Sequence, residues 1–150
     1  MVGGSFDRHL LLFTTRNVSA IVSQYESNAN ITWWNVECFS GIYSNQTTIA
    51  LLMNFVFGYK LPTIGSPLAP HGFSVDNVTQ TRIVSLANGS VLVNSTFGLA
   101  AQHAQGNFNA TISAQDLYSY SETGGTWLIS EESWHFLSSA IPPDVMCMVA

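Results

Sequence analysis

The sequence predicts an α+β domain in which three N-terminal helices pack on one face of a strongly curved, mainly antiparallel sheet. Three observations carry this expectation. Apolar residues recur at helical spacing in three segments before residue 60. A stretch rich in Pro and Gly, "KLPTIGSPLAPHG" at 60–72, then breaks the chain. Four long runs of β-branched and aromatic residues follow, separated by turn signals. Helices first and strands after them is the order of a fold whose helices gather on one side of a sheet.

The first helix is expected over 6–16, with Ser5 as its N-cap, Asp7 in its first turn, and Phe6, Leu10 and Phe13 on one face. A second follows from Val18, Ile21, Val22 and Tyr25, spaced i, i+3, i+4, i+7. "NITWWNV" at 30–36 reads as a short strand. The third helix runs from about Thr47 to Tyr59 and is apolar nearly all round, as a helix buried on most faces would be. The four strand candidates are 73–87, 90–101, 109–122 and 126–137. Their turns are Asn88-Gly89, a type I′ hairpin signal, then "QHAQGNF" and "TGG".

At 150 residues the chain forms one domain, with a core over about 6–137 and a tail at 138–150. Charged residues make up only 9% of it, against about 25% in an average soluble protein. The net charge of −5 lacks the basic footprint that nucleic acid attracts. The longest apolar run, 49–59, is too short for a transmembrane helix. The opening residues show no signal peptide. Cys38 and Cys147 are either two separate thiols or one bridge formed in an oxidising compartment.

Asn-x-Ser/Thr triplets occur at Asn17, Asn30, Asn45, Asn77, Asn88, Asn94 and Asn109. With 11 Asn, and 30 Ser or Thr among 150 residues, chance supplies roughly two. Asn, Ser and Thr also cluster because all three favour caps and turns. The excess, with the low charge, leads us to expect N-glycosylation at these seven sites and an extracellular or cell-surface location.

Four segments carry a family resemblance: "RHLLLF", "NVSAIVSQYESNANITW", "GIYSNQTTIALLMNF" and "GGTWLISEESWHF". Together they resemble the nuclear transport factor 2-like superfamily, which includes ketosteroid isomerase, scytalone dehydratase and polyketide cyclases. The nearest flavour is an Asn/Ser/Thr-rich surface type such as archaea carry. The resemblance implies a cone whose sheet curls around an apolar pocket, with carboxylates, a His or a Tyr inside it in the enzymes. An isomerase-type Asp would fall near Trp33 or Trp34, where no acid stands. A dehydratase-type Asp–His pair has no clear match, and His9 is expected to be exposed or at a helix interface.

Alternation along 109–120 places Asp116, Tyr118 and Tyr120 on an inward face with Ala110, Ile112 and Ala114. Asp116, Tyr118 and Glu132 are therefore the weak catalytic candidates, with Glu132 expected at a solvated rim or dimer edge. Tyr25, Trp33, Tyr43, Phe55, Asp116 and Trp134 form the candidate ligand pocket; with no catalytic set recognised, the aromatics are expected to fill it. His71 and His103 are loop residues. No metal-ligand spacing and no cofactor motif is present. The function expected from these readings is a non-catalytic surface module that self-associates through its sheet, helped by the apolar tail. The alternative is a small-molecule binding protein or isomerase/dehydratase-type enzyme that uses an inward carboxylate. An open cavity would favour that alternative, and a cone plugged by Trp33, Phe55 and Trp134 would disfavour it.

Overall fold

The computed structural model describes residues 2–59, 68–102 and 107–138. His103, Cys147 and the tail 139–150 lie outside the described residues, as does most of the Pro-rich connection. Whether Cys38 and Cys147 are separate thiols or one bridge, and how the tail packs, fall outside with them.

Helix α1 spans Val2–Thr15 and buries Phe6, His9, Leu10 and Phe13 on the face turned to the sheet. It starts earlier than the sequence suggests, so Ser5 lies inside it and caps nothing. Helix α2 is a single turn, Val18–Val22, capped by Asn17, whose side-chain oxygen accepts the Ala20 amide at 3.1 Å. Tyr25 is not helical. It opens strand β1, Tyr25–Trp34, which begins five residues before the expected strand. A 3-10 turn at Glu37–Phe39 leads to β2, Gly41–Ser44, which pairs antiparallel with β1. Helix α3, Asn45–Phe57, buries Ile49, Leu52, Met53, Val56 and Phe57. Gly58 ends it in the left-handed region at φ 83°, where the Tyr59 amide bonds the Asn54 carbonyl at 2.9 Å.

Four long strands complete the sheet: β3 Gly72–Ser85, β4 Val91–Gln102, β5 Phe108–Ser121 and β6 Thr126–Ser138. The order is β2-β1-β6-β5-β4-β3. Only β1–β6 is parallel among these pairings, so the sheet is mainly antiparallel as expected. The β3–β4 turn is not type I′. Asn88 keeps a negative φ, Gly89 alone takes a positive one at 86°, and the Gly89 amide bonds the Leu86 carbonyl at 3.1 Å. This is the three-residue loop with a left-handed Gly.

Inward positions alternate cleanly along β4, and along β5 as far as Tyr118; Tyr120, expected on the inward face, is 52% exposed, beyond the edge of the core. On β6 the alternation breaks at Ser130: Tyr118 pairs with Ile129, and Leu117 with Glu131. This bulge turns Ile129 inward along with Glu132, Trp134 and Phe136. A helix layer over a half-open curved sheet therefore encloses one apolar core, and a row of polar residues runs through it.

Candidate active site

Strand register builds the floor of the site. Val93 on β4, Asp116 on β5, Glu132 on β6 and Ile31 on β1 form one inward row. The adjacent row is Ser95, Ala114, Trp134 and Trp33. Small Ala114 leaves room for Trp134, whose ring stacks on Trp33 with centroids 5.6 Å apart and planes 6° from parallel. Phe13 and Phe97 close on the same indole at 5.1 and 5.3 Å.

Helix α1 lowers His9 onto this floor. Its ring packs edge-on against Phe13 and Tyr25. Its Nε2 lies 2.8 Å from Glu132 Oε2. Tyr25, from the start of β1, donates its hydroxyl to Glu132 Oε1 at 2.5 Å and sits 3.2 Å from His9 Nε2. His9 and Asp116 are 0% exposed, and Glu132 is 2%. These are sites where a charge survives only with partners.

Glu132 has those partners and Asp116 does not. Neither Asp116 oxygen meets a donor in the described structure. Were both carboxyls ionised, two acceptors would face each other with nothing between them. Burial, then the Glu132 charge, pushes the Asp116 carboxyl well above its ordinary range. A proton held there converts the contact into a hydrogen bond to Glu132. Burial alone would raise Glu132 too, but the His9 imidazole and hydrogen bonds from Asp116, His9 and Tyr25 hold it below its ordinary range. Burial, followed by the nearby Glu132, keeps the Tyr25 hydroxyl protonated; burial, followed by Asp116 and then Glu132, does so for Tyr118.

With Glu132 accepting from Nε2, the tautomer that this network assigns leaves the lone pair of His9 on Nδ1. Among the described residues Nδ1 is buried without a hydrogen-bond partner, as are the Tyr118 hydroxyl, Ser95 Oγ and the indole nitrogens of Trp33 and Trp134. His9, Asp116 and Glu132 also present ligand atoms within 4.8 Å of one another. This constellation is invisible to sequence spacing. A cation seated among them would displace the His9–Glu132 and Tyr25–Glu132 hydrogen bonds.

The inward placement of Asp116 and Tyr118 matches the alternation argument. Two expectations need correction. Glu132 is no rim residue, because the β6 bulge keeps it under α1. His9 is not exposed, because it sits three residues after Phe6 and four before Phe13, on the apolar stripe of the helix. That spacing is readable in the sequence, beside the charged pair Asp7 and Arg8. Tyr25 was noted as an aromatic, but its hydroxyl partner could not be seen before β1 was placed beside β6.

The other pocket candidates fill space. Trp33, Tyr43 and Trp134 are buried, and Tyr43 donates to the Phe39 carbonyl at 2.6 Å. Phe55 is half-buried on α3 and His71 is exposed. Of the cluster, Tyr25 lines an open groove of about 800 Å³ between α2, α3 and β1, together with Glu26, Gln46, Asn54 and Leu128. The cone thus has inward carboxylates and an aromatic plug together.

No protein-family model matches the chain, and no curated protein matches it either. Solved structures do. A scytalone dehydratase-like protein from Novosphingobium aromaticivorans superposes with a TM-score of 0.73 at 7% identity, covering 94% of this chain and 85% of that one. A ketosteroid isomerase-like protein from Erwinia carotovora atroseptica gives 0.70 at 14% identity, over 91% and 93%. The hexachlorocyclohexane dehydrochlorinase LinA-type3 from Novosphingobium barchaimii gives 0.67 at 16%, over 99% and 92%. These three neighbours bear the names of an isomerase-like protein, a dehydratase and a dehydrochlorinase, and the buried cluster is a set of proton-handling groups. Together they overturn the expected non-catalytic surface module in favour of its alternative. The chain has the cone-shaped α+β fold of the nuclear transport factor 2-like superfamily.

Proposed function

We propose that the chain is a small-molecule enzyme of the isomerase or dehydratase kind, with its proton-transfer site at His9, Glu132, Asp116 and Tyr25. The observation that carries this reading is the Asp116–Glu132 pair. Two carboxyls face each other across β5 and β6, one pushed up and the other held down. Titratable neighbours driven apart in this way divide into acid and base roles. Asp116, kept neutral, is a hydrogen-bond donor suited to an oxygen that gains negative charge. Glu132 fixes the tautomer of His9 and stabilises the imidazolium that forms, and His9 Nδ1 takes the proton. Tyr25 orients Glu132 by donating its hydroxyl to Oε1. The fitting reaction removes a proton from carbon next to a carbonyl. The double bond then shifts, or a β-leaving group departs.

The test is hydrogen–deuterium exchange in D₂O, read by NMR on a panel of small cyclic ketones and β-hydroxy ketones. Wild-type protein should exchange the α-proton of at least one member faster than buffer does. His9→Asn should lose about 10²-fold or more of that rate. Exchange that survives unchanged in His9→Asn and Glu132→Gln would remove the site from the mechanism.

A further inference from the structure

The structure sorts the seven acceptor triplets into two kinds. Three Asn side chains serve the local backbone. Asn17 caps α2. Asn45 Oδ1 accepts the Thr48 amide at 3.0 Å, and Asn88 Oδ1 accepts the Ser90 amide at 3.0 Å. For these, turn and cap preference is a sufficient reason for an Asn.

The other four lie on strands, where Asn is disfavoured. Asn30, Asn94 and Asn109 occupy outward positions of β1, β4 and β5, between buried inward neighbours. Asn109 is exposed, while Asn30 and Asn94 are half-buried. Asn77 is exposed at the β3 bulge, where the register shifts between Asp76 and Thr79, and it takes a left-handed φ of 51°. β3 is an edge strand of the sheet. The hydroxyl-bearing partners of the two exposed sites, Thr79 and Thr111, are exposed as well. No cap or turn accounts for an Asn at 30, 94 or 109, while at Asn77 the left-handed φ is itself a place that Asn favours; each of the four is followed two residues on by Ser or Thr. On β5 the outward face is uncharged, with Asn109, Thr111, Ser113, Gln115, Leu117 and Ser119, and its flanking strands add Asp76, Arg82 and Glu131.

We propose that Asn77 and Asn109 carry N-linked glycans, and that the outer face of the sheet is a sugar-covered surface. Asn30 and Asn94 lie on the same face, but both are half-buried and the Asn94 Oδ1 is buried, so neither is assigned a glycan. The donor is an oligosaccharide on a polyprenyl phosphate. A bond forms between Asn Nδ2 and the anomeric carbon of the first sugar. The bond from that carbon to phosphate breaks, the lipid phosphate leaves, and the Nδ2 proton passes to the transferase. The chain therefore meets a glycosylating compartment on its way to its destination. Sugar on this face and on the β3 edge prevents a second copy from packing sheet on sheet or adding a strand.

The experiment is peptide mapping by mass spectrometry of the protein from its native source, using fragmentation that leaves glycans attached. Thr79→Ala and Thr111→Ala are expressed in the same host alongside it. The expected result is a sugar mass localised to Asn77 and Asn109, with each variant lighter by one glycan. Two results would overturn the proposal: an intact mass equal to the bare polypeptide, or sugar confined to Asn17, Asn45 and Asn88. Neither bears on the proton-transfer site, whose residues face inward.

Discussion

His9 joins the helix layer to the sheet with one hydrogen bond between buried groups. Removing it leaves the Glu132 charge under α1 with the Tyr25 hydroxyl and the Asp116 proton as its remaining donors. His9→Leu should therefore destabilise the fold by about 3 kcal/mol, the scale for breaking a buried pair from one side. Urea denaturation measures this, and a loss below about 0.5 kcal/mol would show that Glu132 is not ionised in the wild type. The two carboxyls should also leave opposite marks on the pH dependence of stability. Folding raises Asp116, so its contribution is complete below the ordinary value of 3.8 and is lost as pH climbs through the raised value. Folding lowers Glu132, so its contribution is present above 4.5 and is lost as pH falls through the lowered value. Unfolding midpoints from about pH 3 to about pH 9 should accordingly lose their alkaline decline in Asp116→Asn and their acid decline in Glu132→Gln. Identical profiles in all three proteins would contradict the assignment.

The elements differ in how far their own residues announced them. Helices α1 and α3 and strands β3 to β6 follow from apolar period and turn residues, and the structure has each of them. Tyr25 was misplaced because "VSAIVSQY" keeps a helical period past the point where the chain turns into β1. The pairing of Tyr25 and of residues 30–34 with β6, and of residues 30–33 with β2, overrides one further helical turn. The β6 bulge at Ser130 has no local signature; register with β5 creates it. Two element-scale predictions follow from the packing. Trp134→Ala removes the ring that Trp33, Phe13 and Phe97 close upon, and it should cost about 3–5 kcal/mol in a denaturant titration. Gly89→Ala forces a Cβ into the left-handed region at φ 86°, in open space, and should cost about 1 kcal/mol from backbone strain alone. A cost near zero there would mean that the β3–β4 loop adopts another turn.

The whole molecule separates an inward chemistry from an outward surface. One face of the sheet gathers the polar cluster beneath α1. The other carries many hydroxyl and amide side chains, with Asp76, Arg82 and Glu131 as charges among them. Among the described residues, no helix is long and apolar enough to cross a membrane. The fold was legible from element order and from four short resemblances, and the superposed structures agree with it at 7% to 16% identity. The site was legible in part. Asp116 followed from strand alternation. The His9–Glu132–Tyr25 contacts join residues separated by 123, 107 and 16 positions, which only the sheet order brings together. The central claim is that one carboxyl of the pair keeps its proton while the other gives it up. Its most direct test is carbon-13 NMR of the side-chain carboxyls in labelled protein, with Asp116→Asn and Glu132→Gln to assign the two signals. The account predicts that at neutral pH Asp116 carries the shift of a protonated acid and Glu132 that of a carboxylate. Two carboxylate shifts at neutral pH, titrating together in the ordinary range, would contradict it.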